Sequence, residues 1–162
     1  CYGFDRGRGL FLPKMLMRKF LEIAHDSNQY RQACLLRNAV LRQPLGLSLY
    51  DEDLDAEASY RHFGVFVGNE LAGCLVIIPL ESNKVQLKQM AVEDEFRGKG
   101  FGRLLLEEVQ ECLIASGVKE IRLHARETAL GFYERLGFVG EGARFLEVSI
   151  PHQVMWKRIR QD

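Results

Sequence analysis

Six residues, Arg97-Gly98-Lys99-Gly100-Phe101-Gly102, gather glycines and cations into one short stretch just before an amphipathic run. Glycines at 98, 100 and 102 have no Cβ to hold a bulky anion away from the main chain. The first N–H groups of a helix are unpaired donors at its positive end. Arg97, Lys99 and Arg103 add charge at the rim, so the chemistry this spacing serves is the holding of phosphate. Two familiar phosphate loops do not fit. The chain has no Gly-x-x-x-x-Gly-Lys-Ser/Thr, and the glycine spacing is not the Gly-x-Gly-x-x-Gly of a dinucleotide fold. The turn is an anion site of another kind.

The elements around it follow from periodicity. Met15 to Ala24 reads as a strand. Asp26-Ser27 offers an N-cap for a helix from Asn28 to about Arg42, stopped by Pro44 and Gly46. A loop or short helix follows over Asp51 to Tyr60. Phe63 to Val67 and Leu71 to Pro79 flank Gly68-Asn69, a hairpin signal. Lys84 to Val92 is the fourth strand, and its apolar positions change step: Val85 and Leu87, then Met90 and Val92. A slip of one residue near Lys88-Gln89 without a turn is the mark of a β-bulge. From Lys99 to Ser116, Phe101, Leu104, Leu105, Val109, Cys112 and Leu113 recur at helical spacing, with Gly117 placed to end the helix. Ile121, Leu123 and Ala125 alternate with Arg122, His124 and Arg126 as the next strand, parallel to the fourth across the helical crossover. Thr128 is placed to cap a helix reaching Leu136, ended by Gly137. Phe138 to Val148 and His152 to Ile159 complete the sheet.

The chain has 162 residues, 47% of them hydrophobic, which fits one domain over residues 15–160. Residues 1–14 show no periodicity and read as a flexible extension, ahead of a start at Met15 or Met17. The 22 basic and 22 acidic residues balance, without a long run of one sign, so a nucleic-acid partner is not expected. No apolar run approaches the ~20 residues that span a bilayer, and the opening residues are too polar for a signal peptide, so the expected location is cytoplasmic without membrane association. Cys1, Cys34, Cys74 and Cys112 lack metal-ligand spacing, and His25, His62 and His124 have no partners at such spacing, so no metal is expected.

Leu87-Lys88-Gln89-Met90-Ala91-Val92, the turn Arg97 to Gly102, and Phe132-Tyr133-Glu134-Arg135-Leu136-Gly137-Phe138 together resemble the GCN5-related N-acetyltransferases (GNAT). Arg97, Gly100 and Gly102 match that family's Arg/Gln-x-x-Gly-x-Gly/Ala signature. The resemblance covers Met15 to Ile159 and implies an α/β (α+β) fold: a mixed, mostly antiparallel sheet of about seven strands, with a bulged fourth strand and flanking helices. It implies acetyl-CoA as cosubstrate, its pantetheine arm lying along Met90, Ala91 and Val92. Its pyrophosphate would rest on Arg97, Gly98, Lys99, Gly100, Phe101, Gly102 and Arg103. Tyr133 matches the tyrosine that protonates the departing thiolate. Arg126 stands where many members carry a cofactor-contacting asparagine, and its guanidinium would reach either the cofactor or the acceptor.

The acceptor amine must lose a proton before it attacks a thioester. His152, in an Ile-Pro-His that resembles a bacterial subset of the family, is the candidate relay, with Glu147 nearby. The resemblance places the acceptor side around Arg42, the residues after it, and the last strands. The acidic run Asp51, Glu52, Asp53 and Asp55 lies in that region and would either steer a cationic amine or form a solvated loop. A small primary amine is the expected acceptor. A protein acceptor, or a non-catalytic acyl-CoA-binding or regulatory module, stays open. Exposed last strands in such folds often pair subunits, which makes a homodimer an expectation.

Overall fold

The computed structural model describes residues 17–160. The expected extension over residues 1–14 lies outside them. Seven strands form one sheet in the order β1-β2-β3-β4-β5-β7-β6. They are β1 (Arg18–Ile23), β2 (Arg61–Val67), β3 (Glu70–Pro79), β4 (Lys84–Val92), β5 (Glu120–Arg126), β6 (Val139–Glu147) and β7 (Ile150–Arg158). Every neighbouring pair is antiparallel except β4 and β5, which run parallel. Three helices complete the fold: α1 (Asn28–Leu41), α2 (Phe101–Ala115) and α3 (Leu130–Arg135).

The helix ends are written locally. Ser27 caps α1, its side-chain oxygen accepting from the Tyr30 N–H at 3.1 Å. At the end of α2, the Gly117 N–H reaches the Ile114 carbonyl and the Val118 N–H reaches that of Leu113, both at 3.0 Å, with Gly117 left-handed at φ +84°. That pairing is a Schellman close. It recurs at the end of α3, where Gly137 and Phe138 bond back to Glu134 and Tyr133. There the Phe138 ring also packs against Tyr133, with centroids 5.6 Å apart. The spacing Tyr133…Gly137-Phe138 is therefore the geometry of a helix stop that clamps the tyrosine. Thr128 does not cap α3 as expected. It sits inside a 3-10 turn, Glu127–Ala129, which delivers the chain into the helix with Ala129 at the N-cap and no side-chain cap bond.

The core has two parts, one on each face of the sheet. On one face Phe63, Val65, Leu75, Ile77, Val85 and Leu87 meet Leu105, Leu106, Val109 and Leu113 of α2. On the other, Ile23, Phe66, Leu71, Cys74 and Ala91 meet Tyr30, Ala33 and Cys34 of α1. Strict alternation would put Ala91 on the same face as Val85 and Leu87. The β3–β4 register instead shifts between Cys74↔Ala91 and Val76↔Lys88, giving β4 one extra residue, and Gln89 takes a positive φ of +50°. The bulge expected near Lys88-Gln89 is there. Beyond it Ala91 turns to the α1 face, while Met90 and Val92 join the α2-face cluster.

Past the bulge β4 and β5 part. Their pairing runs from Lys84↔Glu120 to Leu87↔Leu123 and goes no further, although β4 extends to Val92 and β5 to Arg126. The acidic stretch after α1 forms two 3-10 turns, Leu49–Asp51 and Asp55–Ser59. There Asp53 accepts the Ala56 N–H at 3.2 Å, and Glu52 pairs with Arg42 at 2.7 Å.

Candidate active site

Gly100 is the N-cap of α2, left-handed at φ +82°, and Gly98 precedes it at φ +70°. Two left-handed glycines in three residues fold the chain so that the first-turn amides of α2, from Phe101 to Arg103, look outward without an intrahelical acceptor. Gly102 serves a different need. A Cβ there would lie 3.1 Å from Met90 Cε and 3.4 Å from Phe132 Cζ, so the helix start, β4 and α3 approach closely enough that any side chain would push the Met90 tip aside. Arg97 is held over the turn by the Val92 carbonyl at 3.3 Å and by Asp94 at 3.1 Å, and Lys99 by the Glu95 carbonyl at 2.9 Å.

The turn forms one end of a cleft of about 730 Å³ that runs along Met90, Ala91 and Val92 to Phe132 and Tyr133. The Glu93 N–H bonds to Ala72 of β3 at 2.8 Å. By the alternation of an antiparallel ladder, Val92, and Met90 before it, turn their peptide groups away from β3, into the gap that β5 has vacated. The cleft thus joins a turn of outward amides and cations to a strand whose Val92 and Met90 peptide groups face away from β3, the Val92 carbonyl already accepting from Arg97 Nε.

A second cleft, of about 330 Å³, opens beside the gap. Its lining brings together Arg42, Arg126, Tyr133, Glu147 and His152, which are distant in sequence. Arg126 lines this cleft and is not among the residues lining the first. Met90, Ala129 and Tyr133 line both, so the two clefts meet at the tyrosine.

Tyr133 is 8% exposed, and its hydroxyl donates to Met90 Sδ at 3.7 Å. A thioether is a weak acceptor, so this donor is poorly satisfied. Burial pushes its pKa up to about 12. His152 is buried, with Nδ1 2.7 Å from the Ile150 carbonyl. A carbonyl only accepts, so Nδ1 carries a proton, and Nε2 lies 3.6 Å from Glu147 Oε2. Glu147 Oε1 lies 3.0 Å from His124 Nδ1, so one carboxylate serves two imidazoles. Glu147 and His152 flank a tight turn in which Val148 and Ser149 hold φ of +47° and +62°. A β-branched residue left-handed beside a cleft is a strained feature of the kind that gathers at functional sites.

Three groups escaped the sequence reading. His124 stands two residues from Arg126, on the same face of β5, and that alternation is the signal that could have found it. Gln89, the bulge residue, lines the second cleft and accepts from Arg37 Nε at 2.7 Å. Arg37 itself, 1% exposed, pairs with Glu57 through Nη1 at 2.9 Å and Nη2 at 2.6 Å, and Tyr30 adds a third bond to the same carboxylate. An arginine inside a helix reads as solvent-facing unless its distant partner is known. Cys34 and Cys74 are buried, and burial pushes the Cys74 thiol up to about 12, which suits packing rather than nucleophilic work. Among the described residues no cluster of His, Cys, Asp or Glu is placed to hold a metal ion, and no helix is long and apolar enough to cross a membrane.

Residues 39–159 match the family model described as an acetyltransferase (GNAT) domain. The chain belongs to the GNAT acetyltransferase family. The N-acetyltransferase YitI of Bacillus subtilis, itself uncharacterized, is 31% identical to this GNAT chain over 137 residues, covering 77% of the chain and 89% of YitI. The uncharacterized B. subtilis protein YyaT is 29% identical over 77 residues, 48% of the chain, and the chain spans only 52% of YyaT's length. Among solved structures, an aminoglycoside 6′-N-acetyltransferase complexed with coenzyme A superposes with a TM-score of 0.75 at 17% identity, covering 89% of this GNAT chain and 98% of that one. At that identity the likeness is one of fold: the seven-stranded, mostly antiparallel sheet with flanking helices is the GNAT architecture.

Proposed function

We propose that the protein is an acetyl-CoA-dependent N-acetyltransferase acting on a primary amine of a small molecule. The observation that carries this is the junction of the two clefts at a buried tyrosine whose hydroxyl, among the described residues, has a sulfur for its one hydrogen-bond partner. The residues present fit the cosubstrate. The Gly98 to Arg103 turn offers amides and cations to a pyrophosphate, Gly102 keeps the approach open, and Val92 offers main-chain bonds to an extended arm. Acetyl-CoA, when bound, supplies an acyl group activated as a thioester. The chain's own groups then do two things. Tyr133 gives its hydroxyl proton to sulfur as the C–S bond breaks, which stabilises the leaving thiolate. His152 Nε2 takes the proton that the amine sheds on attacking, and Glu147 stabilises the imidazolium so formed.

Tyr133→Phe tests the reading. Loss of a positioned acid should lower kcat by roughly 10²- to 10⁴-fold, with acetyl-CoA affinity by titration calorimetry kept near that of the parent chain. Full turnover in the variant would end the assignment of Tyr133. Tight acetyl-CoA binding with no CoA release on any amine would instead favour a non-catalytic acyl-CoA-binding module.

A further inference from the structure

At the mouth of the second cleft two guanidinium groups share one acceptor. Arg42 Nη1 donates to the Leu41 carbonyl at 3.1 Å and Arg126 Nη2 donates to the same oxygen at 3.3 Å. Two like charges are thereby held within a few ångströms of each other, at a cost in repulsion that grows as water is excluded. Only one of them is neutralised: Glu52 takes Arg42 through Nε at 2.7 Å and Nη2 at 3.4 Å. Among the described residues Arg126 has no ion pair, and it is half-buried. Burial, then the nearby Arg42, pull its pKa below the ordinary arginine value, against the opposing pull of Glu147. Across the cleft Glu147 lies 3.0 Å from His124 Nδ1 and 3.6 Å from His152 Nε2, and among the described residues it makes no ion pair with Arg126. Lys88 adds a further cation to the rim.

This arrangement has unspent positive charge and unspent N–H donors on one wall, a proton-accepting imidazole with its carboxylate on the other, and the transfer point between them. We propose that the acceptor carries a carboxylate as well as its amine, and that Arg126, backed by Arg42, captures that carboxylate while the amine faces Tyr133 and His152. The substrate class is amino acids and other small aminocarboxylic acids. A guanidinium meets a carboxylate through two parallel N–H bonds, which fixes orientation as well as position. The inference rests on the transferase reading above for its chemistry, although anion capture can be measured without turnover.

The test compares amino acids with their carboxamides, which keep the amine and lose the charge. CoA release should favour the acids by at least roughly 10-fold in kcat/KM, because a site built to bond a polar group discriminates strongly against its absence. Arg126→Gln should collapse that ratio toward one, and Arg126→Lys should retain part of it. Equal or better use of the amides by the parent chain, or an unchanged ratio in Arg126→Gln, overturns the proposal. Binding is read separately, by thermal shift in the presence of CoA. Carboxylates should protect the parent chain more than amides do, and the difference should vanish in Arg126→Gln. Protection without turnover of either series sinks the transferase reading and keeps the carboxylate site, whereas turnover with equal protection by acids and amides does the reverse.

Discussion

Tyr133 differs from an ordinary core tyrosine in what its hydroxyl meets. With a thioether for a partner and burial raising its pKa to about 12, it stays protonated well past neutrality and remains a donor. Loss of a general acid produces a descending limb in the pH profile at its pKa, so a raised pKa moves that limb upward. The kcat profile should therefore show no fall near pH ~10, where an unperturbed tyrosine would titrate. A fall there that disappears in Tyr133→Phe would show a tyrosine of ordinary acidity. Gly102 gives a second residue-scale prediction. Gly102→Ala places a methyl 3.1 Å from Met90 Cε, on the wall of the first cleft, where the proposed function puts acetyl-CoA. Met90 can yield, so the fold should survive, while acetyl-CoA affinity falls by ~10-fold, the usual effect of one misplaced methyl group in a pocket. Titration calorimetry with acetyl-CoA reads it directly. Residues of this kind were legible in sequence because their meaning is local: a glycine spacing, a helix stop, an apolar step. Arg126 was legible as a group for either the cofactor or the acceptor, but its contact with the Leu41 carbonyl, 85 residues away in sequence, left no local trace.

The elements show why the bulge in β4 could be read and the inward pairing of Arg37 on α1 could not. The bulge changes the parity of apolar residues within one strand, so it leaves a trace in the pattern Val85, Leu87, Met90, Val92. The pairing of Arg37 in α1 with Glu57 in the following 3-10 turn leaves no such trace. Arg37 spends all three faces of its guanidinium: two nitrogens on Glu57 and Nε on Gln89. It thus ties the first helix to the bulge residue that opens the sheet. Removing one member of a buried ion pair strands the other, so Arg37→Ala should cost about 3–5 kcal/mol in denaturant unfolding. Arg37→Lys should recover only part, because an ammonium cannot make the forked contact to Glu57 and also reach Gln89. An Arg37→Ala chain as stable as the parent would mean that Glu57 finds another partner or water.

At the scale of the whole molecule, acid is the expected weakness. His62 is pulled below its ordinary 6.5, by burial above all, with its Glu57 backbone bond opposing. Its unfolded form binds protons more readily than its folded form, so the stability it contributes is complete above 6.5 and drains away as pH falls. Burial would raise the Glu57 carboxyl, but the bonds from Arg37 and Tyr30 outweigh it and hold the group below its ordinary 4.5. That contribution is complete above 4.5 and is lost as pH falls through the lowered value. Thermal unfolding across pH should therefore show a shallow decline below 6.5 and a steeper one below 4.5, the second reduced in Glu57→Gln. A flat profile from neutrality to pH ~4 would contradict the linkage.

The extra residue in β4 behaves as a dislocation does in a crystal. One row has a surplus member, the lattice on either side stays regular, and the misfit opens a seam between β4 and β5. Deleting Gln89 would heal it. Met90 and Val92 would keep to the α2 face and Ala91 to the α1 face, now in unbroken alternation with Val85 and Leu87, and the strand would be free to continue alongside β5 to Arg126. The result would be a better-knit sheet without the gap beside which the two clefts now meet.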